Sequence, residues 1–350
     1  MTTKILKIDK TVDKYEAELK YAAEIIKNGG LVVFPTETVY GLGADGTNPE
    51  AAKRIYEAKG RPSDNPLIIH IADPSDAEKY TFTTPLYYKL AKHFMPGPLT
   101  VILKAQQSIP NETRANLSTV AVRCPANPIA RMLIKYAGVP IAAPSANLSG
   151  SPSPTNAEHV IDDMMGRVNM IIDGGDSDFG LESTIVKIED DDSVTLLRPG
   201  KITAEELKAV CGKVTVSSAV TEALKEGEIA LSPGMKYRHY APKSPVFLLD
   251  GALNNCIEYI KSIFGDKNIA ILAYTSDFRE IKEKLPHAYL YEFGDKENEE
   301  LQAHTLFNIL RDADKRDFDA IFAPLPRREG IGLALYNRMI RAAAYQIIRM

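Results

Sequence analysis

Lys59, Arg61, Ser63, Asp64 and Asn65 crowd two cations and three polar tips into one short run, KGRPSDNPL, the last three between Pro62 and Pro66. Each proline fixes its own φ and restricts the residue before it, so the turn is stiff. The run reads either as an anion-binding ledge or as an ordinary solvated loop. Two further arginines fall at the ends of apolar segments, Arg123 before Cys124-Pro125 and Arg198 before Pro199-Gly200. Guanidinium forks grip phosphate or carboxylate oxygens in pairs. Around them stand hydroxyl, amide and imidazole groups at Thr36, Thr38, His70, Thr119, Ser145, Asn147, Ser153 and Ser183. A concave basic site of this make-up suits a polyphosphate with a small polar partner. No HExxH, paired CxxC, GxSxG or Walker A run is present, which disfavours zincin, hydrolase-elbow and P-loop chemistry. Ser145 with His70 has the types of a nucleophile and a base, but nothing supplies a recognisable orienting acid.

These groups need strand ends and rigid loops to hold them. Residues 14–27 carry apolar positions at helical spacing, closed by Gly29-Gly30, and Leu31 to Phe34 reads as a buried central strand. It runs into PTETVYGLG, residues 35–43, which fits a site-lining strand end or a glycine-rich turn joining strand to helix. Asn48, Pro49 and Gly60 delimit a helix, and an apolar strand follows from Leu67 to Ile71. A helix over residues 85–94 and strands over 100–103 and 117–125 come next. The small-residue strand from Val139 then feeds Ser145, Asn147, Ser149, Ser151 and Ser153 among prolines. That tract reads as a loop held against a ligand or as a flexible linker. Thr203 with Glu206 forms a capping-box signature for a helix over 201–212.

At 350 residues the chain exceeds the size at which one core stops growing, so two domains are expected. Residues 1–212 make the first, and 245–350, where apolar strands alternate with helices, make a smaller doubly wound α/β domain. Between them 213–244 is an irregular linker. Its basic, aromatic Lys236, Tyr237, Arg238, His239 and Tyr240 suit a lid over a site. Gly330-Ile-Gly332 is a weak hint of phosphate binding. The formal net charge of −4 argues against bulk attraction to nucleic acid. Three cysteines without metal-ligand spacing imply a reducing compartment and no structural zinc. With no signal-like start and no long apolar run, a cytoplasmic, membrane-free protein is expected.

PTETVYGLG at 35–43, KGRPSDNPL at 59–67, PGPLT at 96–100, APSAN at 143–147 and LEST at 181–184 resemble the YrdC-like family. The tail from SPGMKYRHYAP onward resembles the long two-domain form of its threonylcarbamoyl-AMP synthases, with looser motifs. The resemblance covers nearly the whole chain. It implies a twisted, open N-terminal α/β sheet with a concave basic site and a Rossmann-like C-terminal domain. It implies a nucleotidyl transfer: L-threonine, bicarbonate (or CO2) and ATP, with Mg²⁺ on the ATP and no protein-built metal site, give threonylcarbamoyl-AMP and pyrophosphate. The product would feed a separate threonylcarbamoyl transferase that modifies tRNA beside the anticodon; direct tRNA binding is left open. The family's catalytic tetrad falls on Lys59, Arg61, Ser145 and Asn147. Threonine contacts would be Thr38, His70, Arg123, Ala143 through its backbone, and Ser183. Nucleotide contacts would be Arg61, Asn65, Thr119, Ser145, Ser153, Arg198 and Tyr237. Taken as an exposed charge, Lys59 is expected to matter to turnover and little to stability. The rival readings are an RNA-binding module and a nucleotide hydrolase or carbamoyl transferase using the same concavity.

Overall fold

The computed structural model describes residues 2–8, 15–223 and 240–350. Lys236, Tyr237, Arg238 and His239 lie outside that range. Among the described residues the chain divides into two compact units. The first holds residues up to Ser149 and then from Ser153 to Ala223; the second holds Gly150–Pro152 with residues 240–350.

In the first unit the strands are β1 (Lys4–Lys7), β2 (Val32–Phe34), β3 (Gly41–Asp45), β4 (Ile68–His70), β5 (Thr81–Phe82), β6 (Leu99–Ala105), β7 (Thr119–Arg123), β8 (Ile141–Ala142), β9 (Met170–Asp173), β10 (Thr184–Ile188), β11 (Val194–Arg198) and β12 (Val214–Val216). They form one mixed sheet in the order β1-β9-β2-β3-β8-β4-β7-β6-β10-β11-β12, with β5 paired to β6 off this path. Val32 and Phe34 belong to a core that also takes Leu19, Ala22 and Ile26 from the helix Glu16–Lys27 and Ile129 and Leu133 from the helix Pro128–Ala137. The helix Pro49–Lys59 starts where the Asn48 side chain accepts from the amides of Glu50 and Ala51, and stops at Gly60 with φ 62°. The capping box read at Thr203 and Glu206 is formed, opening the helix Ala204–Cys211.

The GLG run is not a turn into a helix. It is β3, buried along its length and antiparallel to β2. A Cβ on Gly43 would stand 2.7 Å from the Phe34 ring and 2.8 Å from Cγ2 of Ile141, so these glycines let three strands approach closely. Val214–Val216, inside the stretch read as linker, pairs with β11 at the sheet edge.

The second unit is a parallel sheet of β13 (Val246–Asp250), β14 (Ile269–Ala273), β15 (Tyr289–Glu292), β16 (Ala320–Pro324) and β17 (Ile347–Arg349), ordered β15-β14-β16-β13-β17. The last helix runs Gly332–Ala342. Ala344 and Tyr345 take left-handed φ of 47° and 64°, which ends the helical ladder and frees Ile347–Arg349 to pair with β13. The Gly330–Gly332 segment does not present an open phosphate cradle. The amide of Gly332 donates to Oε2 of Glu299 at 2.9 Å, and a Cβ there would meet Oε1 at 2.6 Å. The glycine makes room for this chain's own carboxylate.

Candidate active site

One row of cross-strand partners organises the site. His70 is paired with Arg123, Arg123 with Thr100, Thr100 with Ile185, and Ile185 with Arg198. Directly paired residues on neighbouring strands share a face, so His70, Arg123, Thr100 and Arg198 project to one side. At about 4.8 Å per strand the row spans roughly 19 Å. His70 and Arg123 end the parallel strands β4 and β7, the edge at which α/β sheets bind ligands. Thr119 lies four residues before Arg123 on the same face of β7, roughly 13 Å away. The site is therefore long enough for an extended ligand.

Arg123 is buried and paired with Glu37 at 2.7 Å, both side chains nearly sealed from water. Its Nε has no protein partner. Burial alone would raise the Glu37 carboxyl, but the charge and hydrogen bond of Arg123 outweigh it and leave the pKa below its ordinary value. Beside them burial, with the Arg123 charge adding to it, lowers His70 to about 3. His70 is a neutral imidazole at physiological pH, facing the Ile141 carbonyl through Nδ1 at 3.3 Å. Thr36 and Thr38 flank Glu37 with their hydroxyls 2.9 Å apart. The amides of Phe179 and Gly180 donate to the carbonyls of Glu37 and Thr38, fastening this loop.

Lys59, Ser145 and Asn147 meet although 86 and 88 residues separate them. The buried ammonium of Lys59 donates to the carbonyls of Ser145 and Asn147, each at 2.5 Å. Ser145 Oγ donates to Oδ1 of Asn147, and the amide of Ser149 donates to the Lys59 carbonyl. The amides of Leu42 and Ala146 tie the same loop to β3 through Pro144 and Tyr40. The Ser/Pro tract is thus a fastened loop over residues 143–149. Lys59 is 3% exposed, which corrects its reading as a surface charge. Arg61 is likewise buried and staples its own turn, Nη2 donating to the carbonyls of Asn65 and Pro66 at 3.1 Å.

Asn65 is 1% exposed, yet neither atom of its amide has a protein partner. An orphaned buried polar atom costs about 1–3 kcal/mol unless something else satisfies it. The Nε of Arg123 is in the same state. Ser183 is fully buried, its Oγ 2.8 Å from Thr100 Oγ1 and 3.1 Å from Nη2 of Arg198, whose Nε donates to the Ser183 carbonyl. Ser153 donates to Glu182, also buried. The amide of Ala143 is taken by the Ile68 carbonyl, so a backbone contact to a ligand falls to its own carbonyl. Tyr237 lies outside the described residues.

Sequence reasoning missed Glu37, Glu182 and Thr100. Glu37 and Glu182 were visible as the acids inside PTETVYGLG and LEST; nothing local announces that they pair with Arg123 and Ser153. Both acids are engaged by protein groups, and no cluster of three or more metal-ligating side chains occurs among the described residues.

Comparison with known proteins covers both units. A family model described as "Telomere recombination" matches residues 24–200. A second, "Threonylcarbamoyl-AMP synthase, C-terminal domain", matches residues 202–344. The chain is 42% identical over 344 residues to threonylcarbamoyl-AMP synthase of Bacillus subtilis (strain 168), covering 95% of each chain. It is 42% identical over 342 residues to that of Pyrococcus abyssi (strain GE5 / Orsay), covering 96% of each. The crystal structure of P. abyssi Sua5 complexed with L-threonine superposes with a TM-score of 0.88, at 40% identity over the full length of both chains.

Proposed function

Because the chain belongs to the threonylcarbamoyl-AMP synthase family, we propose that its first unit joins L-threonine, bicarbonate and ATP into threonylcarbamoyl-AMP, releasing pyrophosphate and water. The observation that carries this is the meeting of Lys59 with the loop of Ser145 and Asn147; the candidate bowl also takes in Arg123 Nε and the Asn65 amide, which have no protein partner.

The threonine carboxylate takes the free edge of Arg123, with Thr38, Ser183 and the Ala143 carbonyl around the amino acid and neutral His70 beside it. The threonine amine combines with bicarbonate to form the carbamate, losing water. A carbamate oxygen then attacks the α-phosphorus of ATP. The bond from that phosphorus to the bridging oxygen breaks, and pyrophosphate leaves with the electron pair. Two anions must approach each other, so catalysis is charge neutralisation and alignment. Lys59 and Arg61 do the first, and preorganised donors of this kind contribute about 3–4 kcal/mol apiece when water is excluded. The loop of Ser145 and Asn147 does the second, holding the reacting atoms near attack distance. Asn65, Thr119, Ser153 and Arg198 take the nucleotide. Mg²⁺ enters as part of the MgATP substrate, ligated by phosphate and water oxygens. The attacking oxygen is already ionised, so no general base is required.

The product serves a separate transferase acting on tRNA beside the anticodon. The setting is cytoplasmic; among the described residues no helix is long and apolar enough to cross a membrane. Pyrophosphate release measured with and without L-threonine and bicarbonate is the test. Strict dependence on both is expected. Release from ATP alone at a comparable rate overturns the synthase reading.

A further inference from the structure

The C-terminal domain has a cavity of about 290 Å³ wholly within its own fold. Its walls include Asp250 and Gly251 where β13 ends, Ala273 and Tyr274 where β14 ends, and Pro324 and Leu325 where β16 ends. It therefore opens at the carboxyl ends of three adjacent parallel strands. The sheet order explains why a cavity forms there. From β13 the chain crosses past β16 to reach β14, whereas from β16 it crosses past β13 to reach β17. Neighbouring strands thus send their connections in opposite directions. Right-handed crossovers then place the two helices on opposite faces and leave a crevice between the strand ends.

The lining narrows the ligand. Inside, Ile271, Leu253 and Ile281 are apolar; at the rim stand the carboxylates of Asp250 and Asp277, the Tyr274 phenol and the exposed Lys296. The helix Leu253–Phe264 begins at this rim with no side-chain cap and no acid in its first turn, so its start tolerates an anion. A volume at the lower edge of the roughly 300–1,000 Å³ range of ligand pockets suits a small ligand better than a dinucleotide. The turn Asp250-Gly-Ala-Leu-Asn-Asn-Cys256 also lacks the glycine spacing that a dinucleotide needs.

We propose that this cavity is a mononucleotide site: base against the apolar wall, ribose hydroxyls on the rim carboxylates, phosphate toward Lys296 or the helix start. It is separate from the bowl of the first unit and does not depend on the reaction assigned there.

Hydrogen–deuterium exchange on the full chain, with AMP, GMP, CMP and UMP added in turn, tests it. At least one nucleotide should protect the segments around 250–256, 274–277 and 324–325. Lys296→Glu should weaken that protection by on the order of tenfold, the loss of one charge-assisted contact. Ala252→Trp, at an exposed rim position, should abolish it by filling the mouth. Both variants should keep the wild-type melting temperature and rate of threonine-dependent pyrophosphate release. No protection in these segments with any of the four nucleotides overturns the proposal. So does protection that survives both substitutions, or protection confined to the first unit.

Discussion

Arg123 is held by a buried carboxylate and has a neutral imidazole as its cross-strand neighbour, and both settings have measurable consequences. Removing one partner of a buried ion pair leaves the other charged and unpaired, which destabilises by about 3–5 kcal/mol. Glu37→Gln should therefore lower the unfolding free energy of the first unit by that order in urea titrations, and raise KM for threonine as Arg123 loses its orientation. His70 makes stability depend on pH in a direction that can be worked out. Its pKa falls from an ordinary 6.5 to about 3 on folding, so between those values the unfolded chain binds the extra proton. Stability is then full above about pH 6.5 and declines on acidification, by about 1.4 kcal/mol per pH unit for this one proton. Glu37, also lowered on folding, adds a loss in the same direction at the acid end. In His70→Asn the slope between pH 6 and pH 4 should shrink by one proton; an unchanged slope would mean that His70 is protonated in the folded chain. Lys59→Met removes two charged hydrogen bonds, each contributing about 1.5–3 kcal/mol. It should thus lower stability along with turnover, unlike the exposed lysine that the sequence suggested.

At the scale of strands and loops, the site depends on how closely β2, β3 and β8 approach. Gly43→Ala would push a methyl group into the Phe34 ring and Ile141. Overpacking of this kind costs about 1–3 kcal/mol. Because β3 also holds the loop of Ser145 and Asn147 through Leu42 and Tyr40, kcat should fall with stability. A thermal melt paired with steady-state kinetics checks both. Elements with local signals were legible in the chain: Asn48 and Gly60 bound their helix as read, and so does the Thr203 capping box. What was not legible depends on distant partners. A strand of glycines looks like a turn until the Phe34 ring is placed against it, and Ile347-Ile-Arg349 continues a helical pattern until β13 offers an edge. The candidate bowl divides in the same way. Its cations were marked by residue type and stiff turns. The Glu37 carboxylate came to light only when folding closed 86 residues of separation from Arg123.

For the molecule as a whole, the question is what the first unit can do without the rest. Apart from Tyr237, the residues proposed to bind threonine and ATP lie between Thr38 and Arg198. The sheet that carries them is finished at its edge by Val214–Val216, followed by buried Ala219 and Val220. A cut after residue 212 would strip β12 from β11 and expose that edge, confusing loss of the lid with loss of fold. A chain ending at Ala223 keeps the strand and removes the basic, aromatic segment. If that segment covers bound nucleotide, the shortened protein should melt as a single cooperative unit and keep its KM for threonine. Its KM for ATP should rise by on the order of tenfold, the equivalent of about 1.4 kcal/mol of lost contact, and water should hydrolyse the unprotected product to AMP, threonine and CO2. An ATP KM and product lifetime equal to those of the full chain would show that the first unit closes its own site.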